Sequence, residues 1–522
     1  MNRNEMIDHL ESEDFEVLII GGGATGLGVA IDAASRGYRT ALVEGYDFAK
    51  GTSGRSTKLI HGGIRYLEQL NFSLVMEALH ERGLLYQNAP HLVSNLSFVV
   101  PRYHWWEGPF YGVGLKLYDV LAGKLNFAPS RILDRDETIE AIPNVEQDEL
   151  MGGIRYNDGQ FHDARMAMTL AQTAVDHGAV IANYAEVKGL LKEKGLVSGV
   201  EVLDKESGRL AKVRSKVVVN ATGVFADQIR RMDKADSPTL IEPAQGIHLV
   251  FDRSFQPSDT AIMVPHTDDG RVLFVIPWND RVLIGTTDTP MATPEIEPVA
   301  LNEEIEFIFR NAGRYLDRDP GIDDVKSVFA GQRPLVHPGG VSGDSKSISR
   351  SHEVFTSESG LISIIGGKWT TYRKMAEDTM AHVIPLGNLD PRPCVTENLR
   401  LHGYLDRNDP AMPENDLFRV YGSDSSKLNS LQEAEPELAT LIHPELPYRG
   451  TEVIWAARNE MARTVEDVLS RRTRSLIIDA ALSVEAAPKV ARLLAVELGY
   501  DEEWEQNQVR EYTDLAKGYL PK

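Results

Sequence analysis

Apolar residues in this chain cluster in short runs that end at glycine-rich turns. Val17-Leu18-Ile19-Ile20 leads directly into Gly21-Gly22-Gly23-Ala24-Thr25-Gly26. Small and apolar residues then recur at helical spacing from Leu27 to Arg36, closed by Gly37, and a second apolar run, Thr40-Ala41-Leu42-Val43, ends in Glu44. The order predicts strand, tight turn, helix, strand. Two later runs end the same way: Lys216 to Asn220 before Ala221-Thr222-Gly223, and Leu361 to Ile365 before Gly366-Gly367-Lys368-Trp369-Thr370. Between these junctions the pattern predicts a scaffold helix over Phe72–Asn88 and a helix over 164–176 with Asp163 as its N-cap. It also predicts a hairpin about Lys194-Gly195, an antiparallel set of short strands over 241–287, and a helix over 302–315. From Pro391 onward the chain reads as helical and charged, with an amphipathic helix over 483–498 and a basic knot at Arg471-Arg472-Thr473-Arg474.

Composition narrows the partners. Lys and Arg total 55 against 77 Asp and Glu, a formal net charge of −22. Such a surface repels nucleic acid and anionic lipid at long range, so an anionic substrate needs a local basic site. The single cysteine, Cys394, excludes an intramolecular disulfide and CxxC redox chemistry and fits a reducing compartment. The first fourteen residues are polar, without the apolar core of a signal peptide. No apolar run approaches membrane-spanning length, so contact with a membrane is expected to be peripheral.

The chemistry begins at the first turn. Gly21 permits it, Gly23 admits a pyrophosphate against the backbone, and Gly26 lets helix and strand approach. The helix start offers free N–H groups to an anion. Glu44 stands where ribose hydroxyls would be held, and its charge disfavours a 2′-phosphate. The motif alone leaves NAD and FAD open. Three such junctions separated by β-rich insertions suit FAD, because a large two-part cofactor is often held by an interrupted domain. Next, Gly51 to Lys58 is a loop of small hydroxyl residues and cations. It suits either a phosphate-and-ring cradle or plain solvent exposure. His61-Gly62-Gly63 suggests backbone pressed against a ligand. The stretch from Tyr103 to Leu125 carries Trp105, Trp106 and two lysines, Lys116 and Lys124, and fits either a lipid–water interface or rings packed beneath a substrate cap.

The blocks 51–68, 330–334 and 365–373 resemble the signatures of the FAD-dependent glycerol-3-phosphate dehydrogenases, within the wider group of FAD-dependent amino-acid oxidase-like enzymes. The resemblance covers nearly the whole chain. It implies an α/β fold: a discontinuous Rossmann-like FAD-binding domain (1–70, 150–225, 340–390), an inserted antiparallel-sheet substrate domain (71–149, 226–339) and an all-helical C-terminal domain (396–522). It also implies oxidation of sn-glycerol 3-phosphate to dihydroxyacetone phosphate, with hydride passing from C2 to flavin N5 and electrons to a membrane quinone. A noncovalent FAD is expected against Gly21, Gly22, Gly23, Ala24, Thr25, Gly26 and Glu44, then Thr52, Ser53, Ser56, Lys58, Leu59, Ile60 and His61. Val187, Ala221, Thr222, Gly223, Gly366, Gly367, Lys368 and Thr370 complete that set. A phosphate dianion beside a flavin needs several cations, preferably forked arginines; Arg65, Arg333, Arg350 and Lys368 are the candidates, with Tyr66 to orient hydroxyls. His248 is the candidate base for the C2 hydroxyl proton, with a buried structural role as its alternative. The rivals are a glycerol-3-phosphate oxidase using oxygen and a non-catalytic flavin-binding regulatory module. The family also suggests a homodimer, no nucleic-acid partner, and a place on the cytoplasmic face of the inner membrane.

Overall fold

The computed structural model describes residues 1–63, 71–336, 352–413 and 416–521. Two sheets organise it. The first has a parallel centre in the order Ile362–Gly366, Leu210–Asn220, Asp14–Ile20, Thr40–Val43 and Val180–Ala182. Its strands therefore come from three separate parts of the chain, as expected for a discontinuous domain. His352–Thr356 runs antiparallel along Ile362–Gly366, and the hairpin Ala185–Glu193/Leu196–Asp204 joins the near half of Leu210–Asn220.

Side-chain alternation explains why this sheet is covered on both faces. Val17 and Ile19 pack on one side with Leu27 and Met375, from helices Ala24–Ser35 and Tyr372–Leu386. Leu18 and Ile20 pack on the other with Ile7 and Leu10 of helix Arg3–Ser12. Register places Ile20 beside both Val43 and Asn220, and Asn220 beside Ser363. All three glycine junctions thus leave the same edge of the sheet, the carboxyl end where open α/β sheets bind ligands.

The second sheet runs Thr289–Pro290, Ile241–Asp252, Arg281–Gly285, Leu273–Trp278, Ala261–Val264, Val93–Arg102, Gly152–Phe161, Leu59–Ile60. Val325–Val336 pairs along the outer side of Ile241–Asp252, and Arg131–Leu133 joins Gly152–Phe161. Pairing is antiparallel except between Ala261–Val264 and Val93–Arg102. Gly152–Phe161 hydrogen-bonds along its whole length with Val93–Arg102, so it belongs to this sheet and not, as drawn from the sequence, to the FAD-binding half. Leu59–Ile60 also pairs here, inside a segment assigned to the other half.

Ile247, Leu249 and Phe251 face a core shared with helix Asn302–Gly313. Val250, Ile276 and Phe329 face the opposite side, where helices Gly450–Asn459, Ala480–Leu498 and Glu502–Ala516 close over them. The C-terminal helices are thus one wall of the second sheet. Helix Asp163–Asp176 has His162 at its N-cap position, one residue before the expected N-cap, with no side-chain cap bond, while Asp163 accepts from the Ala164 N–H at 2.8 Å and turns its other oxygen away from the helix. Among the described residues no helix is long and apolar enough to cross a membrane.

Candidate active site

A cavity of about 710 Å³ lies where the carboxyl end of the first sheet meets the second. Its floor is the first glycine turn, and each glycine there has a steric reason. A Cβ on Gly26 would lie 1.9 Å from the Gly21 carbonyl oxygen, and one on Gly21, at φ +111°, 2.6 Å from the Ala221 carbonyl oxygen. The helix Ala24–Ser35 can therefore begin directly beneath the cavity, with its N-terminal dipole facing in. Glu44, at the end of its strand, accepts from the backbone N–H of Gly22 at 2.6 Å and of Tyr46 at 2.8 Å. Burial raises its pKa, opposed by those two N–H donors.

The loop that begins at Gly51 forms the next wall. The Ala24 N–H donates to Ser53 Oγ at 2.9 Å, and Trp369 Nε1 donates to the Ser53 carbonyl at 2.8 Å, so this loop bridges the first and third junctions. Thr52 Oγ1 donates to the Gln332 carbonyl at 2.6 Å and ties it to the second sheet.

The expected cofactor residues Gly21, Gly23, Ala24, Thr25, Glu44, Thr52, Ser53, Ser56, Leu59 and His61 all line the cavity. So do Val187, Ala221, Thr222, Gly223, Gly366, Gly367, Lys368 and Thr370. Gly22, Gly26, Lys58 and Ile60 are not part of its lining. Gly22 and Gly26 shape the turn from behind. Ile60 is fully buried, and Lys58 Nζ points to Asp163 Oδ2 at 2.6 Å, with neither side chain exposed.

This buried pair is a hub that the sequence did not reveal. Asp163 also accepts from Ser56 N–H at 3.0 Å, Ser56 Oγ at 2.8 Å and Arg474 Nη2 at 3.2 Å, while Arg474 donates to the Gly54 carbonyl at 2.6 Å. Burial pulls the Lys58 ammonium down to about 7, against the attraction of Asp163 and with help from Arg474. Asp163 is held at about 2, its burial outweighed by Lys58 and Arg474. The basic knot of the C-terminal region is buried beneath this loop: Arg471 and Arg472 both bind Asp47. What could have flagged it was three arginines within four residues, flanked by the apolar runs at Val468-Leu469 and Leu476-Ile477-Ile478.

The second sheet supplies the opposite wall. Period-two alternation puts Gly246 and His248 of Ile241–Asp252 on its cavity side. His248 is 2% exposed and stacks on Phe329 with ring centroids 4.8 Å apart and planes 10° apart. Its Nε2 lies 3.0 Å from Thr57 Oγ1. Burial holds its pKa well below the usual histidine range, and the Lys58 and Arg333 charges add to the effect, so the ring is neutral. Arg333 is braced by donation to the Thr287 carbonyl at 3.1 Å and to Asp288 Oδ1 at 3.0 Å. His248, Arg333 and Lys368 therefore line one cavity with the glycine turns. Arg65, Tyr66 and Arg350 lie outside the described residues.

The lining fits FAD: a glycine turn in which Gly21 and Gly26 leave no room for a Cβ, a helix start for a pyrophosphate, the Glu44 carboxylate at the end of the next strand, and walls drawn from both sheets. The chain matches the family model described as FAD dependent oxidoreductase over residues 16–373, and that described as the C-terminal domain of alpha-glycerophosphate oxidase over 361–505. It is 41% identical to the mitochondrial glycerol-3-phosphate dehydrogenase of Macaca fascicularis, over 98% of this chain and 73% of that protein. It is 40% identical to that of Homo sapiens, over 97% of this chain and 74% of that protein. Its fold matches the crystal structure of the glycerol-3-phosphate dehydrogenase from Bacillus halodurans complexed with FAD, with a TM-score of 0.80 and 30% identity, covering 99% and 97% of the two chains. The L-alpha-glycerophosphate oxidase of Mycoplasma pneumoniae, at 18% identity and TM-score 0.57 over 74% of this chain and 98% of that one, shares the fold alone. FAD is the cofactor, and the chain belongs to the FAD-dependent oxidoreductases and, within them, to the glycerol-3-phosphate dehydrogenase family.

Proposed function

We propose that this protein oxidises sn-glycerol 3-phosphate to dihydroxyacetone phosphate and passes the electrons to a membrane quinone. The observation that carries the reading is the convergence of His248, Arg333 and Lys368 on the same cavity as the three glycine junctions. Arg333, held in place by Asp288 and Thr287, offers a preoriented cation to a phosphate. His248, kept neutral by burial, takes the C2 hydroxyl proton. FAD, when bound, supplies the hydride acceptor. Arg65, Tyr66, Arg350 and Lys368 are assigned to the substrate by the family signatures.

Peripheral membrane contact through the helix Glu107–Ala122 and the turn before it belongs to the same reading. Trp105 is 77% exposed and Val120 74%, with Trp106 and Leu117 also exposed, whereas Leu115, Tyr118 and Ala122 face the core. Two-faced helices with tryptophans at one end suit a lipid–water interface. The proposed location, which rests on the family resemblance, is the cytoplasmic surface of an inner membrane.

An anaerobic spectrum of the purified protein with added sn-glycerol 3-phosphate tests the reading. Bleaching of the oxidised flavin band supports it, and a flavin that stays yellow overturns the substrate. Re-oxidation by quinone but not by oxygen supports the acceptor.

A further inference from the structure

Three contacts fix the ring of His248. One face stacks on Phe329. The opposite strand crowds one ring edge, since a Cβ on Gly285 would lie 2.4 Å from the His248 Cδ2. The Nε2 end meets Thr57 Oγ1 at 3.0 Å. The remaining polar atom, Nδ1, is buried and has no hydrogen-bond partner among the described residues.

A neutral imidazole carries one N–H and one lone pair, and the partner of one nitrogen decides the state of the other. Thr57 Oγ can donate or accept. If it donates to Nε2, the orphan Nδ1 carries the proton and can take none from a substrate. If it accepts from Nε2–H, the orphan is a basic lone pair, and a substrate hydroxyl is the donor it lacks.

We propose that Thr57 is a positioning residue for the reaction: its hydroxyl accepts a hydrogen bond from the Nε2–H of His248 and thereby leaves Nδ1 as the lone pair that receives the C2 hydroxyl proton. The inference rests on the proposed role of His248. In the step it serves, the C2 hydroxyl proton moves to Nδ1, while the hydrogen on C2 leaves with its electron pair to the flavin.

The geometry behind Thr57 is rigid enough for this task. Its neighbours are pinned on both sides: Ser56 donates twice to Asp163, and Lys58 donates its N–H to Ser56 Oγ at 3.1 Å and its ammonium to Asp163. Among the described residues, the charges acting on His248 are Lys58 and Arg333, both positive, and Asp163, negative. Both cations disfavour an imidazolium in the resting site, so the base waits in its neutral form.

The test compares Thr57→Val and Thr57→Ser holoenzymes with the wild type. The rate of anaerobic flavin reduction by sn-glycerol 3-phosphate is followed against pH, and FAD content is checked in each. The tautomer of His248 is read separately in the wild type by nitrogen-15 NMR, with a His248→Gln variant to assign the signal. The expected result is Nε2–H in the wild type. Thr57→Ser should reduce at close to the wild-type rate. Thr57→Val should bind FAD with little change in KM, but reduce about tenfold or more slowly, with a displaced pH profile, since its buried N–H has lost its acceptor. Wild-type Nδ1–H, or a Thr57→Val protein that reduces at the wild-type rate with an unchanged pH profile, would overturn the inference. Should Thr57→Val fail to fold, the wild-type tautomer decides alone. A wild type that substrate does not bleach would sink the substrate reading, and the NMR result would still report separately on Thr57.

Discussion

Arg472 and Asp47, 425 residues apart, form a forked ion pair with neither side chain exposed: Nη1 to Oδ2 at 2.6 Å and Nη2 to Oδ1 at 2.9 Å. Arg471 reaches the same carboxylate through Nε at 2.5 Å. Asp47 lies just past Glu44, in the segment that runs into the hydroxyl-rich loop. The C-terminal domain thus holds the cofactor loop from behind.

Removing one partner of a buried pair leaves a stranded charge, at a cost of about 3–5 kcal/mol. Arg472→Met should lower urea stability by that order and reduce FAD retained per chain on dilution. Despite its burial, the two arginines hold the Asp47 carboxyl well below the usual range. A depressed folded pKa means that this stability is present above pH ~4 and is lost as pH falls below it. The variant should show a shallower acid limb in unfolding midpoint against pH, and an unchanged limb would contradict the assignment.

Gly26→Ala is expected to abolish FAD binding. Its Cβ would sit 1.9 Å from the backbone oxygen of Gly21, with no flexible side chain to yield. The helix would have to move off the turn. Gly178→Ala, where a Cβ meets nothing within 4 Å although φ is +87°, is the control; it should cost stability but leave FAD stoichiometry intact.

Arg333→Ala should raise the KM for sn-glycerol 3-phosphate by about 10- to 150-fold, the worth of a charged hydrogen bond at 1.5–3 kcal/mol. Arg333→Lys should recover part of it, because an ammonium supplies charge without the fork. Steady-state kinetics with a soluble quinone reads both. An unchanged KM would remove Arg333 from the phosphate site.

His402 bridges two carboxylates, Nδ1 to Asp176 at 2.6 Å and Nε2 to Asp424 at 2.8 Å. Burial opposes its charge, but its hydrogen bonds to the Asp176 and Asp424 carboxylates prevail and push it up to about 9. Its folded pKa exceeds the unfolded value of ~6.5, so its stabilisation is full below pH ~6.5 and is lost as pH rises through about 9. His402→Gln should flatten the decline in melting temperature across that window. A wild-type profile that is already flat there would show that the bridge contributes nothing.

Trp105 and Trp106, changed together to serine, should lose most co-sedimentation with phospholipid vesicles while keeping flavin reduction by substrate. Binding equal to wild type would move the membrane-facing surface elsewhere.

The parts of this molecule that were legible in the sequence are those whose chemistry is local. The turn at Gly21 to Gly26 announces itself because strand, glycines, helix and acid follow one another, and the junctions at Ala221 and Gly366 repeat its form. The helix Phe72–Asn88 and the Lys194-Gly195 hairpin follow from periodicity and turn chemistry. Partner choice is not local. Asp163 looks like a helix cap until Lys58 and Arg474 are brought to it, and nothing near Arg471 or Arg472 in sequence points to Asp47. Gly152–Phe161 was drawn into the wrong half because its glycines suggest a turn, whereas its pairing partner, Val93–Arg102, lies some fifty residues upstream. His248 could be named from its segment, but its neighbour Thr57 becomes meaningful only as a distance. The aromatic stretch could not be placed from sequence: Trp105 is largely exposed, while Trp106 is half-exposed and packs against His104 and His266.

The clasp between Asp47 and Arg472 also sets an order of events during synthesis. At ~5–20 residues per second, Asp47 leaves the ribosome about 20–85 seconds before its arginines. Until then the loop behind the glycine turn lacks its two arginine clasps, although Ala24, Gln332 and Trp369 already hold it, and Asp163 waits likewise for Arg474. A nascent chain can lay down its first strands and helices early, yet the cofactor seat stays soft until nearly the whole polypeptide has been made. Firm retention of FAD is therefore expected only once the last helices have arrived.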